Sequence, residues 1–125
     1  MIRSYETEPL WQFDTANFRV CFYAEPCQDD PADSFEFMED IEGVRSGKYD
    51  WFNAHVVVYF GASTDGDLEK VGSDVLCCCA YERARDFAKV GQRDYFVDMV
   101  RHAIGEARKV VALKRDRFNA VRLRA

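Results

Sequence analysis

Apolar and polar positions alternate with two distinct periods along this chain, and the period changes mark its elements. Phe18, Val20, Phe22 and Ala24 alternate with Arg19, Cys21 and Tyr23, the period-two signature of a half-buried strand. Leu10 to Phe13 reads as its hairpin partner, with Asp14-Thr15-Ala16-Asn17 as the turn and Pro26 as the stop, since Asp and Asn bond back to the local backbone. Tyr49 to Phe60 is the most strand-like stretch: Phe52, Ala54, Val56, Val58 and Phe60 share one face, and Trp51, Asn53, His55, Val57 and Tyr59 the other. A polar loop from Gly61 to Asp67 precedes Leu68 to Cys79, expected as an antiparallel neighbour with a bulge at Gly72.

Helical spacing appears twice. Pro31 to Glu36 reads as a helix start, with Asp33 and Glu36 forming a capping box. Phe37, Ile41 and Val44 then form an inward stripe beside Met38, and Gly47 is the stop. After Tyr81 a short helix is expected to end near Gly91. Asp94 is expected to cap a longer helix carrying Phe96, Met99, Val100, Ala103, Ala107, Val110 and Val111, running on toward Phe118 and Val121. The order ββαββαα predicts an α+β fold, an antiparallel four-stranded sheet with helices packed on one face. At 125 residues the chain reads as a single α+β domain over 1–125.

Composition changes this picture little. With 48% hydrophobic and 14% aromatic residues the chain has the means to fold. No apolar run reaches the roughly 18 residues that a membrane span needs. The first residues resemble neither a signal peptide nor a transit peptide, so a cytoplasmic location and no membrane partner are expected.

Charge changes it more. Residues 1–82 hold 17 acidic and 5 basic side chains, and residues 83–125 hold 5 acidic and 12 basic ones. The net charge of minus 5 therefore hides halves of minus 12 and plus 7, which bears on partners rather than on fold. The densest run is Glu25, Asp29, Asp30, Asp33, Glu36, Glu39, Asp40 and Glu42, eight acids in 18 positions without a Lys or Arg. Asp33 and Glu36 fit the positive end of a helix dipole. In the expected helix Asp40 and Glu42 lie near its C-terminal end, where the dipole disfavours them. The run from Asp29 to Glu42 is therefore the candidate partner-binding face, presented to the basic surface of a nucleic-acid-binding protein or complex. The alternatives are a solvated face and a homodimeric or self-paired module in which acidic and basic halves meet. The basic cluster Lys109, Lys114, Arg115, Arg117, Arg122 and Arg124 is a weaker basis for direct nucleic-acid binding, because the acidic remainder would repel a phosphate backbone.

Motifs for chemistry are sparse. Five cysteines include Cys77, Cys78 and Cys79 in a row; on a strand such neighbours point to opposite faces and cannot converge on one tetrahedral metal. Cys21 and Cys27 form no CxxC pair, so the thiols read as core filling, with neither metal nor cofactor expected. His55 near Asn53 and Asp50, and His102 at i, i+4 from Glu106, are general bases on paper. Nucleophile-elbow, phosphate-loop and H-E-x-x-H motifs are absent from the sequence, and no enzymatic activity is expected.

Val71-Gly72-Ser73-Asp74-Val75-Leu76-Cys77-Cys78-Cys79-Ala80-Tyr81, followed by Asp94 to Arg101 and Ala103 to Arg108, resembles small proteins encoded by phages, prophages and plasmids. Among acidic proteins of that size, anti-CRISPR and antirestriction inhibitors recur, many binding a defence complex through carboxylates. The resemblance implies an inhibitor that blocks nucleic-acid access, and it carries over no functional residue.

Overall fold

The computed structural model describes residues 8–61, 68–89 and 94–124, with side chains as far as 119. The fold is α+β. Four strands, β1 (Trp11–Asp14), β2 (Phe18–Pro26), β3 (Asp50–Phe60) and β4 (Glu69–Tyr81), form an antiparallel meander in the order β1-β2-β3-β4. Strands consecutive in sequence usually pair in space, here even across the α1 insertion between β2 and β3. The expected alternation holds: Val20, Phe22 and Ala24 of β2 and Phe52, Ala54, Val56 and Val58 of β3 line the core face, all buried.

That face is covered by helix α2 (Asp94–Arg124), which places Phe96, Met99, Ala103 and Ala107 in the core. Their three- and four-residue spacing is one stripe of a 3.6-residue helix. The short helix expected after Tyr81 is a 3-10 turn over Ala84–Ala88, and the predicted end near Gly91 lies outside the described residues. Asp50 holds the turn by accepting a 2.8 Å bond from the backbone N–H of Ala84. Phe87, carried by this turn, is 1% exposed and meets Phe22, Phe52, Tyr81 and Phe96 with ring centroids 5.4 to 6.2 Å apart, an aromatic packing range.

The expected bulge at Gly72 is present. Val58 pairs with Gly72 but Tyr59 pairs with Lys70, leaving Val71 as the extra residue. Phe52 pairs with Cys79 and Ala54 with Leu76, so Cys77 and Cys78 stand opposite Asn53 alone in a second bulge that the alternation did not reveal. Cys78 takes a left-handed φ of 63° there, uncommon for a residue with a Cβ.

The first helix departs from its expected start. The capping box does not form: Asp30 caps a 3-10 turn over Pro31–Asp33 through the Ala32 N–H, and helix α1 spans Met38–Arg45 with Phe37 as its N-cap residue. Pro31 favours such a tight start because its fixed φ suits the first helical position. Phe37 is thereby exposed rather than inward-facing, while Ile41 is buried. α1 packs mainly on the 3-10 turn before it and lies beyond the end of the sheet. Gly43 lets it close on the Tyr49 ring, where an added Cβ would stand 2.5 Å from Cε2.

Candidate functional site: the acidic end of the sheet

The register places the acidic run of α1 and the basic C-terminal part of α2 at opposite ends of the sheet. α1 is inserted between Pro26 and Asp50, at the sheet end where Asp50 pairs with Tyr81. α2 starts beside the same end, with Tyr95 near Leu76 and Tyr81, and crosses over Gly72. It reaches the far end where Lys114 pairs with Glu69. At 1.5 Å per residue, the helix beyond Lys114 extends about 15 Å further. Acidic and basic segments therefore form opposite poles.

The seven predicted carboxylates do not act as one set. Asp29 is exposed; its backbone carbonyl accepts a 2.9 Å bond from Trp51 Nε1 and its Oδ2 a 3.3 Å bond from the Cys78 thiol. Asp30 caps the 3-10 turn and pairs with Arg45 at 3.3 Å, and the Ala32 N–H followed by Arg45 holds its carboxyl below the usual range. Glu39 and Asp40 lie in the first turn of α1, so the helix dipole favours both. The expectation that Asp40 opposes the dipole is overturned by the later helix start. Glu42 lies mid-helix. Asp33, Glu36, Glu39 and Glu42 are exposed, and among the described residues neither they nor half-buried Asp40 enters an ion pair. Between them stand Phe37 and Met38, 69% and 63% exposed.

Beside this segment an open groove of about 560 Å3 runs between the ends of β2 and β3 and the C-terminus of α1, lined by Pro26, Cys27, Arg45, Ser46, Tyr49 and Trp51 among others. At its edge is a cluster that sequence spacing hid. Cys27 Sγ lies 3.7 Å from Cys78 Sγ, and their sulfurs and an Asp29 oxygen all fall within 4.8 Å of one another. The second bulge brings this about, with the Cys78 N–H bonded to Asn53 Oδ1 at 3.1 Å. Burial, then the bonds to Asp29 and Cys27, push the Cys78 thiol up to about 11. Cys77 is exposed and Cys79 buried, so the three consecutive thiols do point apart. The missed signal was weak: Cys27 and Asp29 are two apart in a loop, and Cys78 joins them from 51 residues away.

No protein-family model, characterised protein or solved structure matches this chain. Its functional reading therefore rests on geometry.

The two histidines occupy opposite sides of the sheet. His55 alternates with the core residues of β3 and faces away from α2, and burial lowers its pKa. His102 is an exposed residue of α2, 3.5 Å from Asp74 and 4.0 Å from Glu106. Among the described residues no helix is long and apolar enough to cross a membrane.

Proposed function

We propose that the protein binds another macromolecule through its acidic pole, with Asp33, Glu36, Glu39 and Glu42 meeting a basic surface and Phe37 and Met38 supplying the apolar contact. The observation that carries this reading is the pairing of exposed carboxylates, free of ion pairs among the described residues, with two exposed large apolar side chains on the same short segment. Solvated faces have no need of an exposed Phe-Met pair, whereas interfaces place apolar anchors within a polar rim. Asp29 and Asp30 serve local structure first and contribute field rather than contact; Asp40 lies between these roles.

In its concrete form the partner is a nucleic-acid-binding protein, such as a defence nuclease or CRISPR complex, whose Arg and Lys side chains otherwise hold phosphates. Carboxylates in those sites block nucleic-acid access. The fold-level alternative, a homodimer pairing acidic and basic halves, draws support from the polar separation, which favours head-to-tail contact between copies over pairing within one copy.

A capture experiment from host lysate at low and high salt separates these readings. The wild type should retain a partner that salt and heparin both release, because heparin presents sulfates to the same basic groove. Glu36→Lys with Glu39→Lys and Glu42→Lys should retain none while keeping the wild-type circular dichroism. Equal capture by the triple variant ends the proposal. A mass that doubles at low salt without any partner supports the homodimer.

A further inference from the structure

We propose that Cys27, Asp29 and Cys78 form a binding site for a thiolate-preferring divalent metal ion, zinc foremost. In a tetrahedral zinc site with sulfur at about 2.3 Å and carboxylate oxygen at about 2.0 to 2.2 Å, the sulfur–sulfur edge is about 3.8 Å and the sulfur–oxygen edge about 3.5 Å. The thiols of Cys27 and Cys78 are 3.7 Å apart, and Cys78 Sγ lies 3.3 Å from Asp29 Oδ2. Both of these edges match within about 0.2 Å, and the third, between Cys27 Sγ and Asp29, closes within 4.8 Å.

Each ligand is held by its own anchor. The Cys27 N–H bonds the Trp51 carbonyl at 3.1 Å, and Trp51 Nε1 fixes the Asp29 backbone. Asn53 Oδ1 receives the N–H of Cys78 at the bulge. The left-handed φ of Cys78 is strain stored at this one point of β4, and the resulting thiol position is what the site requires. The three protein donors leave the fourth position to water.

The chemistry of the donor set selects the ion. Two thiolates with one carboxylate suit zinc and exclude magnesium and calcium, which take oxygen donors. On binding, both thiols release their protons to solvent and two metal–sulfur bonds form, with no change of oxidation state. A disulfide is the rival use of the same pair. The two thiols lie 3.7 Å apart, longer than the roughly 2.05 Å of a disulfide bond, and peptide mapping separates the two uses. The bound ion would tie the β4 bulge to the loop that begins the acidic segment.

The test uses the full chain, reduced and stripped of metal, titrated with cobalt(II) and then zinc(II). One equivalent of cobalt should produce a thiolate-to-cobalt charge-transfer absorption that zinc abolishes. Cys27→Ser and Cys78→Ser should each remove most of that absorption, and Cys77→Ser should leave it unchanged. Asn53→Ala, which frees the bulge N–H, should weaken affinity about 10- to 100-fold, as loss of an outer-shell contact does. In the wild type, where folding of a variant is not at issue, zinc should shield Cys27 and Cys78 from alkylation while exposed Cys77 still reacts. The proposal is overturned by absence of the charge-transfer band, by its survival in Cys27→Ser, by alkylation that zinc does not slow, or by peptide mapping that finds Cys27 and Cys78 joined as a disulfide.

Discussion

Ala103 sits directly over Gly72: a Cβ added to Gly72 would run into the Ala103 carbonyl oxygen and stand 2.8 Å from the backbone nitrogen of Ala107. Helix backbone, not side chain, is what meets the sheet here, so neither partner can swing aside. Gly72→Ala should therefore destabilise the fold by about 1 to 3 kcal/mol through overpacking, read from the urea midpoint. Gly105 lies on the same helix with nothing within 4 Å of an added Cβ. Gly105→Ala should stabilise by up to about 1 kcal/mol, the difference in helix propensity. Like shifts in both variants would refute this contact.

Stability should fall on both sides of a window between about pH 6.5 and 9. Burial lowers His55 from 6.5, so the folded chain binds fewer protons than the unfolded one as pH falls. The contribution of His55 is present above 6.5 and lost as pH drops through the depressed folded value. Burial raises the Cys79 thiol from 9.0 to about 11. Its contribution is complete below pH 9 and lost as pH climbs from 9 through 11. Denaturation midpoints measured across pH should show both limbs; His55→Gln should flatten the acid limb and Cys79→Ala the alkaline one. An unchanged slope in either variant would contradict the assignment.

The end of α2 should be dispensable for folding. Residues 113–119 are exposed, and Leu113 and Phe118 are 59% and 65% open to solvent. A chain stopped after Arg115 keeps Phe96, Met99, Ala103 and Ala107 in the core and the Lys114–Glu69 pair, so its melting temperature should stay within a few degrees of wild type. Stopping after His102 removes Ala103 and Ala107 and should abolish cooperative unfolding. Thermal melts followed by circular dichroism decide between these outcomes.

Trp51→Phe should loosen the segment that begins the acidic pole. It removes the 2.9 Å bond to the Asp29 carbonyl while keeping an aromatic ring near Phe35, now 5.7 Å away between centroids. The expected loss is about 0.5 to 1.5 kcal/mol, together with faster hydrogen exchange confined to residues between Cys27 and Phe37. Uniform acceleration across the sheet would show that Trp51 supports the whole core instead.

β2 and β3 were legible because each buries one face, and burial of one face imposes a period of two that Phe52 to Phe60 display plainly; β1, which is mostly exposed, was legible through its turn residues. α2 was legible for the same reason at a period of 3.6. α1 was legible only in part. Asp33 and Glu36 satisfy the spacing of a capping box, yet Asp30 and Pro31 form a 3-10 turn first, and the helix starts five residues after Asp33. Cap spacing is a local signal, and a tight turn just upstream outcompetes it.

The candidate site divides along the same line. The acidic run is contiguous, so its charge could be counted from the sequence. Which carboxylates are occupied locally, as Asp29 and Asp30 are, depends on Trp51, Arg45 and Cys78 arriving from other elements.

By itself, then, the sequence determined the α+β class, the strands, the inward faces of β2 and β3 and the long final helix, since these follow from periodicity, and Gly72 marked the bulge in β4, where its missing Cβ admits the backbone of α2. Only the tertiary structure decided that the acidic run and the basic end of α2 stand at opposite ends of the sheet and that Cys27 meets Asp29 and Cys78. Strand register and a one-residue bulge set those distances, and both arise from contacts between segments far apart in the chain.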